Sequence, residues 1–360
     1  MTTLTRPTHP GQDDARLRPL PWRRMAGVTW RQHRFSLAAV AVLLGALAVW
    51  LWIIGTPLHH VYAAAIACHP ASSLACQKLA YTFNGTNDLM LGPTTPGGVL
   101  LQLVPVLIGA FAGAPVLARE LETGTFRFAW TQGFGRRRWA LAKLVLLAVV
   151  LAAATGAVGR LVSWYYQPYF APGNQARYLN ELSPVATLFT LRGVAFPAWT
   201  VAAFTIGALA GMLIRRVVPA IIATLAAYAG LAVATAAFLR EHYLTPLLTS
   251  HPNVPGTAWI ISQWSSKDGR FAFAGGPPGG PLEQRLIQRF CSALPAGLGK
   301  AGISPQGFAQ CLAHHGYTQW TSYQPASRFW PVQWIEAGWL LALSALLIAA
   351  TIWLVNRRAV

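Results

Sequence analysis

Six long apolar stretches divide this sequence of 360 residues, and each is long enough to cross a lipid bilayer. A helix needs about 20 residues to span roughly 30 Å of hydrocarbon. The stretches cover residues 35–55, 99–118, 139–163, 193–214, 217–239 and 333–355. Their interiors are almost uncharged, and a charge at the centre of a span costs about 2.5–3.5 kcal/mol. We therefore predict an all-α polytopic membrane protein with six transmembrane helices.

The basic residues predict the orientation of these spans. Arginines crowd the N-terminal tail, the segment between spans two and three, the turn between spans four and five, and the C-terminus. The short loops on the other side hold little more than Lys78 and Arg177. Because short cytoplasmic loops are enriched in Lys and Arg, both termini are expected in the cytoplasm. The net charge of +18 is then a signal of topology, and nucleic-acid binding is disfavoured because these arginines flank spans and form no separate domain.

The spans also set the predicted domain organisation. Residues 1–20 are expected to be a disordered cytoplasmic tail, and residues 35–239 hold the first five spans with a cytoplasmic segment at 119–138. Residues 240–332 form a large extracytoplasmic loop region, and residues 333–356 form the sixth span. Within the loop region, residues 282–294 and 304–314 are predicted to form two short helices.

Residues 21–34 interleave aromatic and basic side chains, a composition typical of an amphipathic helix at the membrane interface. Trp22 and Trp30 would lie at the depth of the lipid headgroups. Three arginines would face anionic lipid: Arg23, Arg24 and Arg31. The alternative interpretation is a flanking linker whose arginines only set the topology.

The four cysteines all fall on one side of the predicted topology. Cys68 and Cys76 lie in the first outer loop, and Cys291 and Cys311 lie in the long outer loop. This is the oxidising side of the membrane, where disulfides persist. Four cysteines allow three pairings, of which two pairs within the two loops are the simplest.

Three charged residues lie near the predicted outer ends of spans: Arg160, Arg192 and Glu336. An ionisable residue inside a span indicates a functional role by default, here in a transport pathway or at a helix interface. A charged side chain close to the end of a span is also able to reach the water interface, which is the alternative.

Glycines four residues apart occur in two of the spans. Gly109 and Gly113 lie in the second, and Gly207 and Gly211 lie in the fourth. Small residues at this spacing allow close approach of helices in lipid, so both spans are expected to pack tightly inside the membrane.

Motifs for catalysis are absent from the sequence. It contains no G-x-x-x-x-G-K-[S/T] phosphate-binding loop, no H-E-x-x-H zinc motif and no C-x-x-C pair. None of the ten carboxylates lies in the middle of a span, which disfavours a proton-coupled carrier. We predict that the chain is not an enzyme and holds no metal or cofactor of its own.

The segment between spans two and three carries the most specific pattern. It reads A-R-E-L-E-T-G-T from Ala118, continues through an aromatic and Thr-containing run to Gly133, and ends in three arginines before the next span. Its composition predicts a short cytoplasmic helix that lies against the membrane and docks a soluble partner. A loop that only sets the topology is the alternative.

The ordered set A-R-E-x-E-x-G-T, then R-x-x-W and a lysine entering a helix, resembles permeases of type-2 ABC exporters. The whole chain is similar to the actinobacterial form of these permeases. The resemblance implies that this segment forms the coupling region that meets a separate ATPase subunit. The positions carried over are Arg119, Glu120, Glu122, Gly124 and Arg127.

The resemblance also implies the rest of the assembly. Two permeases, identical or different, would surround a central pathway with two ATPase subunits, which bind the ATP and Mg. The complex would lie in the plasma membrane of a bacterium and export a hydrophobic or amphipathic small molecule. Two alternatives stay open: a non-transporting anchor or signalling partner of an ABC ATPase, and a membrane-embedded enzyme acting on lipid-linked substrates.

Overall fold

The computed structural model describes residues 22–70, 72–90, 96–124, 136–170, 188–251, 254, 258–275, 285, 289 and 305–358. Most of these residues are helical, and six helical stretches are long and apolar enough to cross a membrane. They are Trp30–Ala67, Gly97–Thr123, Arg137–Tyr169, Ala195–Ile214, Val217–His242 and Ala326–Arg357. The number of spans expected from the sequence is therefore confirmed.

The α-helices overlap all six predicted apolar stretches, although the first helix continues 12 residues beyond residue 55 and shorter α-helices lie between the spans. In chain order they are α1 (Trp22–Ala67), α2 (Leu74–Met90), α3 (Pro96–Ile108), α4 (Pro115–Thr123), α5 (Arg136–Tyr166), α6 (Leu188–Leu191), α7 (Ala195–Ile214), α8 (Val217–Ala234), α9 (Pro305–His314) and α10 (Phe329–Arg358). A π-helical turn, Gly109–Gly113, joins α3 to α4 within the second span. A second π-helical turn, Thr235–Leu239, extends α8 to a 3₁₀ turn at Arg240–His242.

Helix α1 runs without a break from Trp22 to Ala67. Residues 22–34 of the segment predicted as an interfacial helix therefore form the first turns of the helix that contains the first span. Trp30 and Arg31 are exposed there. The side chains of Trp22, Arg23 and Arg24 lie outside the described part of the chain.

The region between the fifth and sixth spans contains a sheet, which corrects the all-α prediction. Its strands are β1 (Leu247–Thr249), β2 (Trp259–Lys267), β3 (Arg270–Ala274) and β4 (Tyr317–Gln324), ordered β1-β4-β2-β3 with antiparallel pairing. Asp268 and Gly269, with φ of 52° and 73°, form the two-residue turn between β2 and β3. An Asp-Gly pair between two short strands is a strong hairpin signal. Helix α9 matches the predicted helix at 304–314, whereas the predicted helix at 282–294 falls largely outside the described residues.

Helix α7 is the centre of the bundle. It packs against α3, α4, α5, α8, α10 and the first π-helical turn, and it is the most buried of the six spans. The glycines explain the close approach of the second and fourth spans. A Cβ atom on Gly113 would lie 2.5 Å from the carbonyl oxygen of Phe204, and one on Gly211 would lie 2.4 Å from that of Ala114. The two glycine pairs predicted to aid packing thus face each other.

The buried side chains form two apolar clusters. The first lies among α1, α3, α4, α5 and α7 and includes Leu51, Leu101 and Leu144. The second lies where α7 and α10 meet the sheet and includes Trp199, Trp259 and Phe329. We refer to the end of the bundle near the sheet as the sheet end, and to the opposite end, where Arg119 and Arg215 lie, as the basic end.

Candidate functional site

Helix α4 ends at the basic end of the bundle and carries the residues of the predicted coupling segment. Val116, Leu117 and Ala118 are buried, whereas Arg119 is exposed. Gly124, with φ of 72°, terminates the helix in the left-handed conformation that favours glycine. Arg127 lies outside the described residues.

Glu120 of α4 points into the bundle. Its Oε1 atom accepts a hydrogen bond from Nζ of Lys143 in α5 at 2.5 Å, and the lysine side chain is only 1% exposed. The Nζ atom also lies 5.0 Å from the centre of the Trp139 ring, within cation–π distance. Removing one partner of a buried ion pair costs about 3–5 kcal/mol, because the other charge is left uncompensated. The pair therefore fixes α4 firmly to α5.

Glu122 connects α4 to a third helix. Its Oε2 atom accepts a hydrogen bond of 3.2 Å from the backbone N–H of Val217, the first residue of α8. A carboxylate at a helix N-terminus satisfies a free N–H group and interacts favourably with the helix dipole. Arg215, with φ of 60°, ends α7 two residues earlier, so the tight turn between α7 and α8 brings this N-terminus beside α4.

The two predicted coupling carboxylates thus make contacts within the chain. Glu120 is mostly buried and bridges to α5, whereas Glu122 is exposed and caps α8. Arg119, on the same helix, is also exposed. Sequence reasoning identified these residues but not the internal partners, Lys143 and the N-terminus of α8. The contact between this segment and an ATPase stays a prediction.

A second polar cluster lies at the sheet end, around Glu336 of α10. The Oε1 and Oε2 atoms of Glu336 accept hydrogen bonds from the Arg240 guanidinium, both at 2.8 Å. Nε1 of Trp199 in α7 donates to Oε1 at 2.7 Å. Glu336 is fully buried and Arg240 is 4% exposed. A two-bond pair of this kind is a strong charge-assisted interaction with defined geometry.

Neighbouring side chains extend this cluster. The Arg240 guanidinium stacks over the Phe189 ring at 4.6 Å, and Trp339 donates through Nε1 to the Tyr243 hydroxyl at 2.8 Å. Burial, followed by the charge of Glu336, raises the pKa of the Tyr243 phenol above its ordinary value. The hydroxyl therefore stays protonated over the physiological pH range.

Gln333 joins α6 to α7 and α10. Its Nε2 atom donates to the carbonyl of Phe189 at 2.6 Å, and its Oε1 atom accepts from the N–H of Ala195 at 2.8 Å. The glutamine is fully buried. The side chain thus provides a hydrogen-bond partner to a backbone carbonyl of α6 and to the first backbone N–H of α7. These two bonds hold the short helix α6 in place.

The three charges predicted near outer span ends have different surroundings. Glu336 forms the centre of the cluster, Arg192 lies over the Phe329 ring at 5.2 Å, and Arg160 is exposed on α5. The structure does not bring all three together. Sequence reasoning missed Arg240, because it directly follows the fifth apolar stretch and resembles an ordinary flanking charge.

The cysteines of the first loop are bonded as expected. Cys68 and Cys76 form a disulfide with their Cα atoms 5.6 Å apart, which fixes the end of α1 to the start of α2. Cys311 is also disulfide-bonded, and Cys291 lies outside the described residues. Among the residues that the structure describes, His, Cys, Asp and Glu side chains form no group of three that would hold a metal ion.

One protein family matches the chain. Residues 41–240, more than half of its length, match the family described as ABC-2 membrane transporter related. The match includes α4, the ion pair between Glu120 and Lys143, and the start of α8, and it ends at Arg240. No curated protein and no solved structure matches the chain.

Proposed function

The chain belongs to the ABC-2 membrane transporter related family, and on that premise we propose that it is the permease subunit of an ABC exporter of hydrophobic or amphipathic small molecules. The ATP and its Mg are bound by a separate ATPase subunit. The six apolar helices support a multi-pass membrane protein. The observation that carries the proposal is the connection of α4 to both α5 and α8.

The proposed orientation places the basic end in the cytoplasm. Arg119, Arg137 and Arg215 are exposed at this end, and the positive-inside rule favours the cytoplasm for such charges. The sheet and the Cys68–Cys76 disulfide are then extracytoplasmic, in agreement with the oxidising environment that disulfides need. We propose the plasma membrane of a bacterium, of the actinobacterial type, as the location.

In this orientation α4 is the surface that meets the ATPase. Arg119 is exposed, which suits contact with a partner, while the two carboxylates hold α4 to the bundle. A displacement of α4 would be passed to α5 through the Glu120–Lys143 ion pair and to α8 through the hydrogen bond of Glu122. These two contacts are the proposed route by which movement of α4 reaches its neighbours.

Two copies of the permease, identical or different, would enclose the pathway, with two ATPase subunits beneath them. Closure of the ATPase dimer on ATP favours one position of α4 over the other. The permease would follow as a shift in the populations of two conformations, driven by the difference in binding free energy.

The test is co-purification with an ABC ATPase, followed by ATP hydrolysis and substrate flux in liposomes. Glu120→Arg with Glu122→Arg should abolish both activities while membrane insertion is retained. Arg119→Glu should weaken ATPase binding without loss of thermal stability, because the side chain is exposed. Arg160→Glu, exposed on α5 toward the other end, is the matched control and should leave ATPase binding unchanged.

The outcomes separate the remaining alternatives. Normal ATPase activity and flux in the Glu120→Arg, Glu122→Arg variant would remove α4 as the coupling surface. A stable complex with an ATPase that moves no substrate in any assay would favour the non-transporting anchor. Failure to bind any ABC ATPase would contradict the proposal as a whole.

A further inference from the structure

The two segments that connect the sheet to the membrane helices run side by side. Residues 240–245 lead out of the fifth span toward β1, and residues 324–339 lead from the end of β4 into α10. We call these two segments together the stem. Side-chain hydrogen bonds join the two segments at four places, which are the pairs Arg240–Glu336, Tyr243–Trp339, Leu244–Gln324 and Thr245–Arg328.

The two contacts that involve Gln324 and Arg328 use backbone carbonyls as acceptors. Gln324 donates through Nε2 to the carbonyl of Leu244 at 2.7 Å, and Arg328 donates through an Nη atom to that of Thr245 at 2.6 Å. The pairing of Leu247 in β1 with Tyr323 in β4 continues the series into the sheet. The two segments of the stem are thus joined both at the membrane helices and next to the sheet.

The sheet is also seated directly on the membrane helices. Trp259 of β2 is 5% exposed and lies in the same apolar cluster as Trp199 of α7 and Leu340 of α10. Helix α2 packs instead against the first apolar cluster, where the ring of Phe83 stacks on that of Tyr169 at 4.7 Å. The sheet and α2 are therefore packed against different apolar clusters.

We propose that Glu336 is a positioning residue that holds the stem, so that the sheet keeps one orientation to the fifth and sixth spans and moves with them as one body. One buried carboxylate receives three hydrogen bonds, two from the stem's Arg240 and one from Trp199. Without its charge, Arg240 would be buried with no compensating anion, and the stem would separate at its base. The inference does not depend on the proposed transport function.

The experiment measures distance distributions by double electron–electron resonance in the full-length protein in lipid nanodiscs. Spin labels are attached through genetically encoded ketone residues, so that the native disulfides stay intact. One label replaces Phe271 of β3 and the other replaces Leu346 of α10, which are exposed by 70% and 68%. We expect a single narrow distribution in the wild type and at least a twofold broader one in Glu336→Gln.

Two controls distinguish loosening of the stem from loosening of the whole helix bundle. Glu241→Gln removes the carboxylate next to Arg240 and should leave the distribution narrow. Labels at Val42 of α1 and Leu346, both exposed, should give the same distance in the wild type and in Glu336→Gln.

A narrow sheet distance in Glu336→Gln, or a broad one in the wild type, would overturn the proposal. A change in the Val42–Leu346 distance would also overturn it, because the residue would then support the whole bundle. If Glu336→Gln fails to insert, Glu336→Met with Arg240→Met removes both charges of the pair, so that no buried charge is left without a partner. That variant should broaden the sheet distance, and an unchanged width would overturn the proposal.

Discussion

Lys143 in the third span is neutralised by Glu120 in the second, with 2.5 Å between Nζ and Oε1 and the lysine 1% exposed. An unpaired Lys143 would be destabilising here, since burial of an unpaired charge carries a large desolvation cost. The two spans are therefore matched to each other by charge as well as by shape.

The ion pair predicts that substitutions at Glu120 and Lys143 will have strongly coupled effects on the free energy of unfolding. Glu120→Gln should lower the free energy of unfolding by about 3–5 kcal/mol because Lys143 loses its counter-charge. Adding Lys143→Met should restore most of this loss, since an apolar side chain of similar size suits the site. Reversible unfolding in mixed micelles measures both effects. Glu122→Gln keeps an oxygen that accepts from the N–H of Val217 and loses only the charge, so it should cost about 0.3–1 kcal/mol. Equal losses in Glu120→Gln and in Glu120→Gln with Lys143→Met would argue against the coupling.

The glycine contacts predict that a glycine-to-alanine substitution will change stability differently in α7 and in α8. Gly207→Ala places a methyl group against the carbonyl of Gly109 and the N–H of Ala114. We expect a loss of about 1–3 kcal/mol in the free energy of unfolding, typical of overpacking. Gly230 of α8 has open space around its Cβ position, so Gly230→Ala should be neutral or stabilise by about 0.5–1 kcal/mol. Similar values for both variants would contradict the close helix contact.

Gln333 predicts a local effect on α6. Gln333→Leu leaves the carbonyl of Phe189 and the N–H of Ala195 without a partner, at about 1–3 kcal/mol for each buried group. Hydrogen exchange at residues 188–195 should therefore accelerate in this variant, while exchange in α5 stays slow. Trp334→Leu, at the next and exposed position, is the control. Unchanged exchange in Gln333→Leu would show that other contacts hold α6.

The disulfide between Cys68 and Cys76 predicts the pattern of alkylation. Neither thiol should react with a maleimide in the native protein, and both should react after reduction. Cys68→Ser with Cys76→Ser should lower stability by about 2–4 kcal/mol, because the reduced unfolded chain regains conformational freedom. Mass spectrometry of the labelled peptides gives the first result, and reactive Cys76 without reduction would contradict the bond.

The spans were predictable from sequence because lipid leaves few choices. Six apolar stretches without central charges admit hardly anything but helices, since every backbone polar group must be satisfied inside the segment. The glycine pairs likewise indicated close packing, although their mutual contact could not be read from either pair alone. Contacts between residues such as Glu120 and Lys143 depend on helix rotation, which apolar composition does not determine.

The sheet was missed for a different reason. Its strands are short, and β2 mixes Trp and Ile with Ser, so the alternation of buried and exposed residues is weak in the sequence. The partner of β2 in the centre of the sheet, β4, lies about 50 residues further along the chain. The Asp268-Gly269 turn was the one local signal that could have indicated a hairpin. Arg240 was missed because only the fold places it against Glu336.

The π-helical turn at Gly109–Gly113 has a consequence for how the second span could work. The N–H of Ala114 bonds the carbonyl of Gly109, five residues back, so this turn holds one residue more than a regular α-turn. One residue corresponds to about 100° of rotation and 1.5 Å of rise. If the extra residue passed along the helix, α4 would swivel by that angle, and Glu120 and Glu122 would exchange their present neighbours for others. The extra residue lies about two turns of helix before these carboxylates, so its position sets the direction in which the second span presents them.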